Sequence, residues 1–212
     1  MEINGGQNEY ALFGTFYRVN YAYKDKYLFE AAGRYDGTSR FAKGSRFGFF
    51  PSFSGGWRLD QENFFQQWDQ RTLNGLKIRA SYGSLGNQQV GYYDYLQTIN
   101  AGGTLKYSFG DGTVAPYATE SAPNASSLTW ETVNTTNLGL DLEMFQSKLT
   151  VTGDVYRRAT LNMLTAGKTI PAYYGASIPK ENASDLLTRG WEVSVNWKDR
   201  FELAGKTFNY YA

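Results

Sequence analysis

The sequence predicts an all-β protein built of antiparallel strands. Three observations lead there. Apolar and polar residues alternate with period two over stretch after stretch, short polar turns such as Lys24-Asp25-Lys26 and Gln146-Ser147-Lys148 join neighbouring stretches, and little helical periodicity lies between them. The clearest stretch is Tyr27 to Trp57, YLFEAAGRYDGTSRFAKGSRFGFFPSFSGGW. In its first half Tyr27, Phe29, Ala31, Gly33 and Tyr35 share a face, opposite Glu30, Arg34 and Asp36. In its second half Phe47, Phe49, Pro51, Phe53, Gly55 and Trp57 share a face, opposite Arg46, Ser52, Ser54 and Arg58. Successive side chains of a strand point to opposite sides, so each half has an aromatic or small face and a polar face.

The other elements follow in order. A first strand is expected from about Glu9 to Tyr23, with Ala11, Phe13, Tyr17, Val19, Tyr21 and Tyr23 on one face and Arg18 and Asn20 on the other. The second and third are the two halves already described. In the Arg58–Gly75 connection Asp60 is placed to cap a short helix carrying Phe64, Phe65 and Trp68 on one side. A fourth strand near Leu76–Leu85 sets Leu76, Ile78, Ala80 and Tyr82 against Lys77, Arg79 and Ser81. A long polar loop is expected over Gly86–Thr129, in which Asp111-Gly112 reads as a turn signal, as Asp36-Gly37 does within the Tyr27–Trp57 stretch. A fifth strand near Trp130–Phe145 opposes Leu138, Leu140, Leu142 and Met144 to Asn137, Asp141 and Glu143, and a sixth near Leu149–Arg158 opposes Leu149, Val151 and Val155 to Thr152, Asp154 and Tyr156. A second long loop is expected over Thr160–Arg189. A seventh strand follows near Gly190–Trp197, with Trp191, Val193, Val195 and Trp197 opposite Glu192, Ser194 and Asn196. A turn near Lys198–Lys206 leads to a final stretch, Thr207–Tyr211, that reads as the start of an eighth strand.

Composition removes several chemistries. The 212 residues include neither cysteine nor histidine, which excludes disulfides, zinc-thiolate and iron–sulfur sites, cysteine nucleophiles and histidine-based triads within this sequence. A net charge of +1 offers no electrostatic case for nucleic acid. No metal or other cofactor is expected. The carboxylate pairs Asp60/Glu62 and Asp141/Glu143 carry no sign of facing a cleft, alternation puts Asp141 and Glu143 together on a solvated strand face, and no calcium-loop series follows the Asp-Gly turns. The Asn124, Asn134 and Asn182 glycosylation patterns are of a kind frequent by chance.

Two readings of the two-faced strands stay open on pattern alone. In a soluble sandwich the aromatic face is a core. In a membrane barrel it meets lipid, and the charges line a wet lumen. No apolar run reaches the length of a spanning helix, but a barrel produces no such run. Favouring the barrel, aromatics make up 17% of residues and gather near the tight turns (Tyr21, Tyr23, Tyr27, Trp57, Trp197), as an interfacial girdle would. The strands also read as about ten residues or more, the length a tilted membrane strand needs, and short and long connections alternate. The Arg58–Gly75 connection is too long for the tight side of a simple small barrel. Met1 is followed by polar residues without a signal-peptide pattern, so a mature chain or an internal fragment is the expectation, and the last strand reads as cut. A complete small barrel acting as an anchor or adhesin, and a soluble sugar-binding sandwich, are the alternatives.

The segments DKYLFEAAGRYDGTSRF, RFGFFPSFSGGWRL, LKIRASYGSLGNQ, LTWETVNTTNLGLDLEMFQSKLTVTGDVYRRAT and TRGWEVSVNW resemble, in this order, the barrel region of SusC/RagA-type TonB-dependent transporters of Bacteroidetes outer membranes. Thr38 departs from the family's usual DGSSRF. The resemblance implies a transmembrane barrel of about 22 strands with a plugged lumen, of which this chain would be an arc of about seven to eight strands across residues 1–212, without plug or remaining wall. It implies import of oligosaccharides or peptides, a SusD-like surface lipoprotein as lid, energy from TonB through the plug, and no catalytic residues. The motif positions Asp36, Gly37, Arg40, Phe41, Pro51, Ser52, Gly56, Trp57, Gly83, Gly86 and Asn87 read as turn and wall elements. Tyr92, Tyr93, Tyr95, Tyr173 and Tyr174 are candidate substrate contacts in the outer loops, with packing of the loops against one another the alternative and safer reading. Glu30, Arg34, Arg46, Arg79, Asp141 and Glu192 are candidates to face the lumen or plug.

Overall fold

A computed structural model describes residues 7–68, 71–108, 114–120, 128–167, 180–203 and 206–211, together with residues 169, 171 and 178. The strands are β1 (Leu12–Tyr23), β2 (Tyr27–Thr38), β3 (Phe47–Arg58), β4 (Leu73–Asn87), β5 (Ile99–Ser108), β6 (Val114–Glu120), β7 (Glu131–Met144), β8 (Leu149–Ala166), β9 (Lys180–Leu203) and β10 (Lys206–Tyr211). Eight form one open sheet in the order β1-β2-β3-β4-β7-β8-β9-β10, and β5 and β6 pair separately. Every pairing is antiparallel. The sheet is an arc with β1 and β10 at its two edges.

Register carries one face across the whole arc. Tyr21, Phe29 and Gly55 lie side by side, as do Tyr23, Tyr27, Trp57 and Ile78. Ile78 is opposite Leu140, and further along Leu138, Val155 and Trp191 form one row. This face is bare: Phe29, Phe49, Phe53, Leu138, Val155, Trp191 and Val193 are all exposed. A folded soluble monomer of 23.9 kDa exposes about 9,900 Å² on general scaling, whereas this chain exposes 15595 Å². The aromatic face is thus no sandwich core. It suits a hydrocarbon phase, and the barrel alternative stands.

Several elements differ from the sequence reading. The Gly86–Thr129 stretch contains the β5–β6 hairpin; its Gly- and Thr-rich sequence lacks the two-faced alternation that marks a wall strand. β8 and β9 run well into the expected Thr160–Arg189 loop, and β9 also runs through much of the expected Lys198–Lys206 turn, as far as Leu203. The pairing persists because Met163 to Ala166 find partners between Lys180 and Ser184, past a register shift. Asp36-Gly37 is strand rather than turn. Gly37 pairs with both Phe13 and Phe47, and the Phe47 ring covers it, where any Cβ would collide. The expected capped helix after β3 is a 3-10 turn, Leu59–Gln61, with Arg58 before it and no side-chain cap. Asp60 instead accepts from Arg58 and Gln61. Phe65 is buried while Phe64 and Trp68 are exposed, so the three do not share one face.

Two tight turns close hairpins at the same end. Lys24 and Asp25 both have positive φ, +52° and +53°, and Lys26 N–H donates to the Tyr23 carbonyl at 3.0 Å. Such primed geometry matches the twist of the flanking strands. Phe145, Gln146 and Ser147 are likewise left-handed, at 56°, 60° and 62°.

Candidate functional site

The inward face of the arc is polar, and its charges are organised in groups. Arg79 on β4 donates from Nε and Nη2 to the two carboxylate oxygens of Asp141 on β7, at 2.7 and 2.9 Å. The same Nη2 reaches Asp154 on β8 at 3.2 Å, and Asn137 donates to the other Asp154 oxygen at 2.8 Å. A planar guanidinium satisfies two carboxylates at once where an ammonium would not. Gly139 makes room for this: it pairs between Arg79 and Asp154, and a Cβ there would strike both side chains. Next along the face, Glu192 stands opposite Asp154 in register. On the other flank Arg18 meets Glu30 across β1–β2 at 3.4 Å, and Arg34 holds Asp36 along β2 at 2.7 Å. A concavity of about 510 Å³ lies between these groups, lined by Asn20, Glu30, Ser54, Lys77, Arg79 and Asn137.

The long-connection end of the wall carries a small apolar core. Phe41, Phe50, Val90, Leu128 and Trp130 are buried together, with both Phe rings edge-on to Trp130. Arg46, at the foot of β3, ties this knot. Its Nε donates to the Phe41 carbonyl, and its own carbonyl accepts from Thr38 N–H and the Trp130 indole. The Arg40 guanidinium packs against both the Tyr10 and Tyr92 rings, at 4.7 and 4.9 Å, and donates to the Val90 carbonyl; the two rings also touch each other at 5.5 Å. Tyr93 has φ of +63°, unusual for an aromatic residue, and its hydroxyl is anchored to Glu9 through both the backbone N–H and the carbonyl. Tyr92 and Tyr93 therefore serve loop packing in this structure. Tyr95 lies in the same loop, half-buried. Tyr173 and Tyr174 lie outside the described residues.

The tight-turn end is organised around Glu62. Its carboxylate accepts from Lys26 at 3.1 Å, from the Tyr27 hydroxyl at 2.8 Å and from the Trp57 indole at 3.1 Å. These bonds, the Tyr27 one foremost, hold its pKa below the ordinary carboxylate value. Two aromatic rings of the outer face are thus fastened by Glu62, a residue of the connection between β3 and β4. Similar ties recur further round: Trp197 donates to the Tyr210 hydroxyl, and Lys148 pairs with Asp199. The sequence pairs Glu62 with Asp60 only as a carboxylate pair with no sign of a cleft. Its partners lie on two other strand ends, and no local pattern joins them.

Among the described residues no His, Cys, Asp or Glu cluster suits a metal ion. The site is a wall: an apolar outer face, a charged inner face, aromatic rims and unequal ends, which define an arc of a membrane-spanning β-barrel. Comparison with known proteins places it more closely. The chain belongs to the TonB dependent receptor-like, beta-barrel family, which matches residues 3–212, and it is of the SusC/RagA type within that outer-membrane family. It is 37% identical over 182 residues to TonB-dependent receptor P26 of Formosa agariphila, covering 85% of this chain and 18% of that protein. It is 35% identical over 193 residues to TonB-dependent receptor SusC of Bacteroides thetaiotaomicron, covering 88% of this chain and 18% of SusC. The solved RagAB peptide transporter superposes with a TM-score of 0.75 at 25% identity, over 95% of this chain and 22% of that one. The siderophore receptor PirA of Pseudomonas aeruginosa shares the fold, with a TM-score of 0.56 at 14% identity. The chain spans about a fifth of the length of P26, SusC and the RagAB chain.

Proposed function

We propose that this chain is a consecutive arc of the wall of an outer-membrane, TonB-dependent importer of oligosaccharides or peptides. The observation that carries the reading is the single register that keeps one face apolar and bare across eight strands while the other bears paired charges. In this reading the tight-turn end is periplasmic and the Phe41–Trp130 knot faces outward. Glu30, Arg34, Arg79, Asp141 and Glu192 look toward a plug supplied by the rest of the protein. Arg46 supports the outer loops from the same side. Tyr95, with Tyr173 and Tyr174, is the candidate to meet substrate, and Tyr92 and Tyr93 shape the loop that presents it. A SusD-like lipoprotein closes the outer mouth, and TonB acts through the plug. The wall itself performs no chemistry.

Uptake of labelled oligosaccharides and peptides by cells carrying the complete transporter tests this. Import that depends on both the gene and TonB is expected. Import that continues without TonB, or a chain recovered in the soluble fraction without detergent, would sink the proposal.

A further inference from the structure

Among the described residues, a pair of arginines interrupts the apolar character of the outer face. Arg157 on β8 and Arg189 on β9 are directly opposite each other in register, on the same face as Leu138, Val155 and Trp191. Both are exposed, and neither has an acidic partner among the described residues. Like charges directly across a sheet repel, and arginine facing lipid is unfavourable, unless an anion sits between them. A shallow groove of about 550 Å³ runs beside them, lined by Thr136, Leu138, Val155, Arg157, Arg189 and Trp191. It therefore offers an apolar floor beneath a doubly cationic head.

Height along the wall identifies the occupant. Trp197 belongs to the aromatic rim at the tight-turn end, through its bond to Tyr210 and its contact with Phe145. The same number of residues separates Trp197 from Arg189, Tyr27 from Tyr35 and Trp57 from Phe49. On tilted strands that separation is about 20 Å of height, close to the far edge of a barrel's apolar band of about 25 Å. At that level β2 and β3 present Tyr35 over Phe47, stacked at 5.4 Å, whereas β8 and β9 present two guanidinium groups. We infer that Arg157 and Arg189 form a binding site for the phosphate of an outer-leaflet glycolipid, whose acyl chains lie on Leu138, Val155 and Trp191. Arginine pairs suit phosphate because the planar fork donates two hydrogen bonds to one group.

The inference rests on the membrane-wall reading, and one preparation tests both. The complete transporter carrying this chain is extracted in mild detergent and its bound lipid is read by native mass spectrometry. Wild type should retain a phosphorylated glycolipid. Arg157→Gln with Arg189→Gln should weaken retention by at least about tenfold per arginine. The double lysine variant should fall between them. Arg158→Gln changes the same charge on the inward face, where Arg158 lies near the Tyr156 ring, and should retain lipid fully. Undiminished retention by the double glutamine variant overturns the inference, as does equal binding of a dephosphorylated glycolipid offered in mixed micelles. Unchanged lipid with an altered co-purifying protein overturns it in favour of a protein contact. Heat-modifiable gel mobility of the same samples reads the wall assignment separately: its presence with unaltered lipid binding defeats only this inference, and its absence in wild type defeats the wall reading.

Discussion

The two ends of the wall are held by different forces. At the long-connection end, buried rings make a core: Phe41, Phe50 and Trp130 meet edge to face, with Val90 and Leu128 beneath. At the tight-turn end polar bonds dominate, with Lys26, Tyr27 and Trp57 converging on Glu62. The difference follows from what each end must do. Long connections leave the sheet and need apolar burial to acquire a shape. Short turns need little, but the aromatic rim beside them has polar tips that require partners at the water boundary. Between the ends, the bare outer face contributes no buried core of its own.

This contrast can be broken at several points. Trp130→Ala should have the largest effect, about 3–5 kcal/mol, as deletion of a buried aromatic does. Unfolding of the detergent-folded transporter measures it, and limited proteolysis should show cuts confined to the long-connection end. Equal sensitivity at the tight turns would contradict the division. Arg79→Ala removes a half-buried cation from two carboxylates and should destabilise by about 1–3 kcal/mol. Asp141→Asn should cost less than Arg79→Ala, because Asp154 still holds the guanidinium. Gln146→Gly should act with opposite sign, stabilising by about 0.5–1 kcal/mol, because glycine removes the left-handed penalty at φ of 60°; a fall in unfolding midpoint would show that the turn is held by other means.

Glu62 makes the tight-turn end sensitive to acid. Glu62 has a lowered pKa in the folded state, so it binds a proton less readily folded than unfolded. Its stabilisation is present above the ordinary carboxylate pKa and is lost as pH falls through the lower, folded value. The slope of stability against pH in that window should flatten in Glu62→Gln, and an unchanged slope would assign the acid sensitivity elsewhere.

Much of the wall was legible because strand parity is a local property. The alternation in Tyr27–Tyr35, Phe47–Trp57, Leu138–Met144 and Trp191–Trp197 marks the outer face residue by residue, and the register keeps those residues on one side. The extensions of β8 and β9 were not legible, since Thr160–Ala166 and Lys180–Arg189 are mixed in character and pair only because the preceding ladder brings them together. The same holds for Arg40, whose aromatic neighbours Tyr10 and Tyr92 come from separate segments.

The amino-acid order alone determined the strands, their two faces, the exclusion of histidine and cysteine chemistry and the resemblance to a transporter barrel, because each depends on spacing along the chain. Only the tertiary structure decided that the aromatic face stays uncovered, that Glu62 fastens Tyr27 and Trp57, that Arg79 is shared by Asp141 and Asp154, and that Arg157 faces Arg189. These depend on which strand lies beside which, and on the register at which a hydrogen-bonded ladder sets residues far apart in sequence next to one another.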